Sequence, residues 1–358
     1  MILLAVCLAL RLAHAQAVPA SPDYAGNCQA PRWSADGVKL SWEVNYHDKK
    51  TVELFIATYG ATAPPRKVTP VSHGASAATA GFATAAADAV VHEASWSPPS
   101  IGKIVYSASG TSEDYDLYID GAGPIAVASG ADGSAAWSPD GKRIVFTSAR
   151  SGQGDLYLID LAAIEKPPLR LTGDATASEL FAAWSPDGQK VAFVGHTTTG
   201  DNLYLIDNVA FPAPRAFTSW EHTQTRPSFS PDGGTVAFYS NHSDIDRVDL
   251  YMAPLSGTPV LVATDVVMND EGPSWTPDGR HLVYVKHDDQ RFNPVYAAPV
   301  RQPSQAVPIA TGTVGNGDLD VAKRADGSVW LVVSAQGRAK DKVRDFKRLY
   351  AMALPALP

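Results

Sequence analysis

The feature that most constrains this chain is a short motif that recurs seven times along it. In its clearest copy, Trp137 is followed by the turn sequence Ser-Pro-Asp-Gly and a β-branched stretch, and Asp-Leu-Tyr at 155–157 closes the unit. A repeat of this size cannot bury its own apolar face, so the copies must stack against one another. The motif's aromatic residue stands at Trp33, Trp96, Trp137, Trp184, Phe229 and Trp275, and Lys323 takes its place in a degenerate seventh copy.

The residues within each copy predict four antiparallel strands. Proline presets the first corner of the turn and glycine accepts the positive φ that returns the chain, so a strand must lie on either side. The second strand is rich in β-branched and aromatic residues, as in Lys190–Val194, and Asp-Leu-Tyr marks the third. From the second copy on, the spacing is about 41 to 48 residues, the length of one propeller blade. The sequence predicts an all-β fold, a seven-bladed β-propeller of four-stranded antiparallel blades.

The seventh copy lacks a good outer strand of its own. Its third strand ends near Met352, and the segment Leu354–Pro358 that follows is too rich in proline for a ladder strand. We therefore predict that residues from Val18 to Asn27 supply the missing strand and close the ring. Residues 18–358 then form a single propeller domain.

The repeats resemble those of the TolB family, whose propeller is built of WD40-like PD40 repeats with a Trp-Ser-Pro-Asp-Gly core. The resemblance covers about Gln29 to Met352, and four copies keep an unbroken Ser/Thr-Pro-Asp-Gly after the aromatic. TolB itself has a six-bladed ring preceded by an α/β domain. The expectation here is a TolB-like propeller of seven blades without that domain, so TolB's role in a cell-envelope complex is not implied.

Composition and the first residues bear on the compartment. The formal net charge of −8 disfavours nucleic acid and anionic lipid as partners. The apolar run Met1–Leu10, followed by Ala13-His14-Ala15, predicts a signal peptide over residues 1–17 and a periplasmic or secreted protein. This run is too short to span a membrane. Its removal leaves Cys28 as the one cysteine, so we expect no internal disulfide and a monomer closed by strand pairing.

An alanine-rich insertion, residues 69–93, separates the first two copies. It is interpreted as a low-complexity linker, with a lid over the central channel as the alternative.

Candidate functional residues follow from their offset within the repeat. Loops between the second and third strands share one face of a propeller with the connections between blades. Several histidines and acidic residues fall in these loops, so we expect them to surround one mouth of the channel. Ligand-binding candidates are Arg150, His47, His92, Trp220, Glu221, Glu179 and Asp318; candidates for a divalent metal site are His196, His222, His242, His287 and Glu271.

Two functions remain open at this point. The first is a non-enzymatic module that binds a protein or a glycan through the channel face, because polar side chains in such loops are also ordinary surface residues. The second comes from a resemblance to the seven-bladed oligogalacturonate lyases, which hold a divalent metal with histidines. That resemblance implies histidine ligands, Glu271 orienting one of them, and Arg150 neutralising a uronate carboxylate. No Gly-x-Ser-x-Gly sequence indicates a serine hydrolase.

Overall fold

The computed structural model describes residues 16–49, 51–69, 91–109, 114–126, 129–173, 178–197, 200–338 and 346–358. The predicted signal peptide lies almost entirely outside the described residues. So does the alanine-rich insertion between 70 and 90, together with its linker and lid interpretations. The backbone of His92 is described, and its side chain is not.

Seven antiparallel sheets follow one another along the chain and confirm the predicted propeller. The inner strands are Asn27–Trp33, Val91–Trp96, Asp132–Trp137, Ser178–Trp184, Gln224–Phe229, Val266–Val267 with Ser274–Trp275, and Leu319–Lys323. The second strands are Lys39–Tyr46, Ile104–Ser109, Arg143–Ser148, Val191–Thr197, Thr235–Ser240, His281–Lys286 and Val329–Ala335.

Two further strands complete each blade on its outer side. The third strands are Thr51–Thr58, Tyr115–Ile119, Asp155–Asp160, Gly200–Ile206, Asp249–Pro254, Val295–Pro299 and Arg348–Ala353. The outer strands are Arg66–Lys67, Gly123–Ala126, Leu169–Arg170, Pro214–Ala216, Val260–Ala263, Val307–Ile309 and, in blade 7, Val18–Pro19. Thr313–Val314 pairs with Gly337–Arg338 between blades 6 and 7, and 3-10 turns occur at Leu161–Ala163 and Pro303–Gln305.

The ring closes in blade 7, as the sequence predicts. Val18 pairs with Ala351, and Pro19 pairs with Tyr350 in the last strand. The closing strand is only two residues long, shorter than the predicted segment from Val18 to Asn27, because residues 20–26 form the connection to the inner strand of blade 1, which begins at Asn27. An N-terminal segment therefore holds the last blade to the first.

The core lies between neighbouring blades. Leu117 of blade 2, for example, belongs to the same buried cluster as Ile144 and Phe146 of blade 3. The repeat tryptophans are part of this packing and add hydrogen bonds between blades. Trp184 Nε1 donates to the carbonyl of Ala136 in the preceding blade at 3.0 Å. These aromatic residues therefore have a structural role in joining the blades.

The Ser-Pro-Asp-Gly turns are rigid for identifiable reasons. In blade 3, Ser138 Oγ donates to Asp140 Oδ1 at 2.6 Å, and the same hydroxyl accepts from Arg143 N at 2.9 Å. Gly141 takes a φ of 71°, which favours glycine. Within the described part of the chain, no helix is long and apolar enough to cross a membrane.

Candidate functional site

A cavity of about 580 Å³ lies in the central channel, at the face that carries the loops between second and third strands. This volume is within the usual range for small-ligand sites, roughly 300 to 1,000 Å³. Part of the wall is apolar, from Ala30, Ala131, Ala149 and Leu180. The described lining also contains five carboxylates and one guanidinium, namely Glu43, Glu93, Asp132, Asp270, Glu271 and Arg226. The cavity is therefore acidic.

A repeated irregularity of the inner strands shapes this wall. Five inner strands carry a register shift against their second strands, three residues or fewer before the repeat aromatic. Such a bulge turns one residue out of the ladder and re-aims its side chain. Positive φ angles mark the position in six blades, at Ala30, Glu93, Ser134, Phe181, Arg226 and Gly272.

Carboxylates from one blade accept hydrogen bonds from the bulge of the next. Glu43 Oε1 accepts from the backbone N–H of Glu93 at 2.9 Å, and Glu93 Oε2 accepts from the N–H of Ser134. Asp318 Oδ2 accepts from the N–H of Ala30 at 3.2 Å. These bonds satisfy backbone donors that the bulge removes from the ladder, and they fix the carboxylates at the channel wall.

An ion pair crosses the channel between blade 1 and blade 6. Arg32 Nε donates to Glu271 Oε2 at 2.8 Å, and Arg32 Nη2 donates to the carbonyl of Glu271 at 3.0 Å. Burial raises the pKa of Glu271, and the neighbouring Arg32 guanidinium opposes that rise. Burial also raises the pKa of Asp320, which accepts from Trp33 N in the same region.

An interruption of the inner strand of blade 6 carries Glu271 into the channel. The strand breaks off after Val267 and resumes at Ser274, and both pieces pair with the second strand. Asn269 Nδ2 donates to the carbonyls of Gly272 and Leu319, at 2.9 and 2.8 Å, and so fixes the intervening loop. The backbone of the loop is therefore fixed, and its acidic residues Asp270 and Glu271 line the cavity.

Asp270 lies on the same loop beside a single arginine. The guanidinium of Arg226 is 4.0 Å from Asp270 Oδ1, and it stacks over the ring of Phe181 at 3.8 Å. Burial and the nearby charge of Asp318 raise the pKa of Asp270. The loop thus concentrates negative charge at the mouth.

Arg150 is linked to the cavity wall through Asp132, and this ion pair occupies its charge. Its Nη2 donates to both carboxylate oxygens of Asp132, at 2.9 and 3.2 Å, and its Nε donates to Ser148 Oγ at 2.7 Å. The guanidinium also stacks over Phe146 and Tyr157. Burial raises the pKa of Asp132, with Ser148 and Arg150 opposing that rise. Arg150 therefore serves here to hold Asp132 at the cavity.

The predicted histidines do not converge. His196 Nδ1 contacts Asp201, His242 stacks on Trp220 at 4.6 Å, and His287 is 3.6 Å from Asp265. None of the five exposed histidines, His47, His196, His222, His242 and His287, is among the cavity-lining residues. Within the described ranges, no three His, Cys, Asp or Glu side chains form a group that could hold a metal ion. The metal-ligand role of these histidines stays a prediction.

The remaining candidates occupy different environments. Glu179 is buried and accepts from Thr172 Oγ1 at 3.1 Å, whereas Glu221 is exposed. Trp220 is half-buried; the His242 ring covers one face of it, and the ring of Tyr251 meets it edge to face at 5.0 Å. His47 pairs with Asn27 at the end of blade 1. Of all the predicted site residues, Glu271 is the one whose described side chain lines the cavity.

Sequence reasoning missed Glu43, Glu93, Asp132, Arg32 and Arg226. Two signals were present in the aligned copies. The residue just before the repeat aromatic is Ser or Ala in six copies and arginine in the first, at Arg32. The position five residues before the aromatic is polar in five consecutive copies, as Asp132, Glu179, Gln224, Asp270 and Asp318.

Seven four-stranded blades around an acidic channel define the class of protein, a β-propeller with a candidate site at its channel mouth. A family model described as PD40, the TolB beta propeller domain, matches residues 170–347. Over these residues, just under half of the chain, the sequence matches the PD40 repeats of TolB, and the fold is that of a TolB-like β-propeller. Within the described residues, which begin at Gln16, no α/β domain precedes the first blade. A search of curated protein sequences finds no match.

Solved structures agree on the fold. TolB from Acinetobacter baumannii is 19% identical with a TM-score of 0.52, over 79% of this chain and 63% of that protein. A puromycin-hydrolyzing peptidase of Mycobacterium tuberculosis is 13% identical with a TM-score of 0.57, over 92% and 58%. This chain thus spans less than two thirds of either protein. An oligogalacturonate lyase in complex with manganese is 16% identical with a TM-score of 0.49, over 71% and 86%, which is too distant to support an argument.

Proposed function

We propose that this TolB-like propeller is a binding module that takes a partner protein at its channel mouth. The observation that carries the proposal is the 580 Å³ cavity, whose walls combine carboxylates with small apolar side chains. Grooves of mixed charge and apolar surface suit side chains of a protein segment. A propeller also supplies a rigid platform, so function depends on the site built on it.

A protein partner is favoured over a glycan by the state of two of the predicted ligand-binding residues, Trp220 and Arg150. Sugar rings bind through open aromatic faces, and Trp220 has one face covered by His242. The Arg150 guanidinium, which would otherwise attract an acidic sugar, is paired with Asp132. The lyase alternative gains no support from a specific observation.

We further propose that the protein works outside the cytoplasm, on the basis of the apolar run at residues 1–10 and the small residues that follow it. Cell fractionation and N-terminal sequencing of the purified protein test this. Recovery from the periplasm or medium, with a new N-terminus near residue 16 or 18, is expected. Recovery from the cytoplasm with Met1 intact would contradict it.

Site-specific photo-crosslinking tests the binding role. A photoreactive amino acid at Ala131, in the cavity wall, should give a discrete protein adduct in cells that express the full chain. The same residue at Lys142, in a turn on the opposite face, should not. A discrete adduct at Lys142 alone, no adduct at either position, or turnover of a uronate polysaccharide by the purified protein would overturn the proposal.

A further inference from the structure

We propose that the channel cavity binds an organic cation, an ammonium or guanidinium group on an alkyl stem, a proposal that rests on the proposed binding function. Such a group is carried by a lysine or arginine side chain of a partner protein and also by free diamines.

The wall of the cavity carries more acidic than basic side chains. The cavity is lined by five carboxylates and by Arg226 as the one described cationic residue. Two of the carboxylates already form ion pairs within the protein. Asp132 pairs with Arg150, and Glu271 pairs with Arg32. The arginines that neutralise them are fixed by further bonds, so the remaining acidity of the wall is a permanent feature of the fold.

Glu93 is the centre of that remaining acidity. Its Oε2 accepts from Ser134 N and its Oε1 lies 3.4 Å from Ser134 Oγ, both of them neutral donors. No cationic side chain of the described residues lies within ion-pair distance of it. An ionised carboxylate accepts about four hydrogen bonds. A carboxylate held inside a channel, with acceptor sites remaining, is stabilised by a cation that enters from solvent.

The space beside Glu93 is kept by a glycine. A Cβ on Gly133 would lie 3.1 Å from Glu93 Oε2, closer than side-chain contacts ordinarily allow. The φ angle of Gly133 is not in the left-handed region, so backbone geometry alone does not demand glycine there. Its absence of a side chain leaves the carboxylate accessible from the cavity.

Asp270 supplies a second negative charge on the opposite side of the ring. Its nearest described cation, Arg226, is 4.0 Å away, and its side chain is about half exposed, at 49%. Burial and the proximity of Asp318 raise its pKa, so an entering cation would relieve unfavourable interactions that already exist.

The apolar part of the wall selects the rest of the ligand. Ala30, Ala131, Ala149 and Leu180 offer contact to methylene groups, and Tyr115 adds an aromatic ring. Alkyl stems bury against such surfaces while their charged ends reach polar groups. A hydrated inorganic ion would gain nothing from these walls, whereas an alkylammonium group uses both parts.

Calorimetric titration of the full chain tests the proposal. The probes are 1,5-diaminopentane and a blocked Gly-Lys-Gly peptide, with 1,5-pentanediol as the uncharged counterpart. We expect at least one cationic probe to bind, the diol not to bind, and Glu93→Gln to weaken binding about tenfold or more. Glu53→Gln is the matched control, because Glu53 pairs with Lys67 on the outside of blade 1; its binding should equal that of the wild type.

The outcomes separate the two proposals. Binding by the peptide alone identifies a protein segment as the source of the cation, and binding by both probes shows that free amines also fit. No binding by either cation at millimolar concentration, or unchanged binding in a folded Glu93→Gln variant, overturns the inference. If Glu93→Gln does not fold, Asp270→Asn, which removes the second negative charge of the cavity, provides the comparison, and unchanged binding in that variant overturns the inference. A photo-adduct at Ala131 without cation binding would leave the binding function standing and remove only this inference.

Discussion

Arg32 of blade 1 and Glu271 of blade 6 are hydrogen-bonded across the channel, with Arg32 Nε 2.8 Å from Glu271 Oε2, although blade 7 lies between their blades in the ring. The same arginine reaches the carbonyl of Glu271 at 3.0 Å. The pair therefore ties the blades on either side of the closing blade to each other. Ring closure depends on this channel contact as well as on strand pairing in blade 7.

Removal of Arg32 should destabilise the protein. Arg32→Gln leaves the Glu271 carboxylate in a buried site, where burial already raises its pKa. Since the arginine side chain is about a third exposed, at 35%, we expect a loss of roughly 1 to 3 kcal/mol in the free energy of unfolding. Urea denaturation of both single variants and of the Arg32→Gln, Glu271→Gln double variant measures it. The double variant should lose less than the two single losses together; strict additivity would contradict the coupling.

The repeat tryptophans allow a matched comparison of one hydrogen bond. Trp184→Phe removes the bond from Nε1 to the Ala136 carbonyl at 3.0 Å and part of the stacking under Arg143, whose guanidinium lies 5.0 Å from the ring. We expect a loss of about 1 to 2 kcal/mol in the free energy of unfolding. In Trp137, equally buried, Nε1 has no hydrogen-bond partner within the described structure. Trp137→Phe should therefore cost clearly less, and equal losses would rule out this role for the bond.

The fold could be predicted from the sequence because each blade repeats the same local chemistry. One turn and one interface between blades depend on Trp137, Pro139, Asp140 and Gly141. The six other copies show the same pattern where a single copy departs from it. The closing strand could be predicted because the last copy lacks an outer strand. Its short length could not be predicted, because strand ends depend on where neighbouring segments begin.

The site was harder to predict because it is built from the exceptions to the repeat. Glu93 and Arg226 lie at bulges whose side chains face the channel, and a strand pattern of alternating residues does not reveal a bulge. Contacts such as that between Arg32 and Glu271 join residues 239 positions apart. The histidines occupy the same position in their repeats. Because each repeat forms a different blade of the ring, these histidines lie on separate blades.

Two sets of carboxylates give the stability opposite dependences on pH. Hydrogen bonds from serine hydroxyls hold the pKa values of Asp140, Asp187 and Asp232 below their ordinary value. Their contribution is present above the unfolded pKa and is lost as pH falls through the folded one. Burial raises the pKa values of Asp270 and Glu271. Their contribution is present below the unfolded pKa and is lost as pH rises through the folded one.

Single substitutions separate the two sets. Asp270→Asn should raise the free energy of unfolding at pH 7 relative to wild type, and the difference should disappear as acid protonates Asp270. Asp140→Asn should lower it at pH 7, with the difference disappearing under more acidic conditions than those that protonate an ordinary carboxyl. Urea denaturation from pH 7 to pH 2 measures both. Differences that stay constant over this range would contradict the assignment.

The N-terminal closure should be sensitive to one hydroxyl group. Ser21 Oγ accepts from the backbone N–H of Leu349 at 3.0 Å, beside the two-residue strand Val18–Pro19, and Ser21 is buried. Ser21→Ala leaves that N–H without its acceptor, so we expect a loss of about 1 to 3 kcal/mol in the free energy of unfolding. Ser256→Ala, at an exposed turn, should change little.

Hydrogen exchange shows whether this loss is confined to the closing blade. Because the two-residue strand Val18–Pro19 covers the strand Arg348–Ala353, opening in Ser21→Ala should begin in Arg348–Ala353. Amides there should exchange faster than in wild type, while those of Asp249–Pro254 in blade 5 keep their protection, since that blade has an outer strand of its own. Equal acceleration in both strands would show that the ring opens as one unit and that the N-terminal strand is not its weakest point.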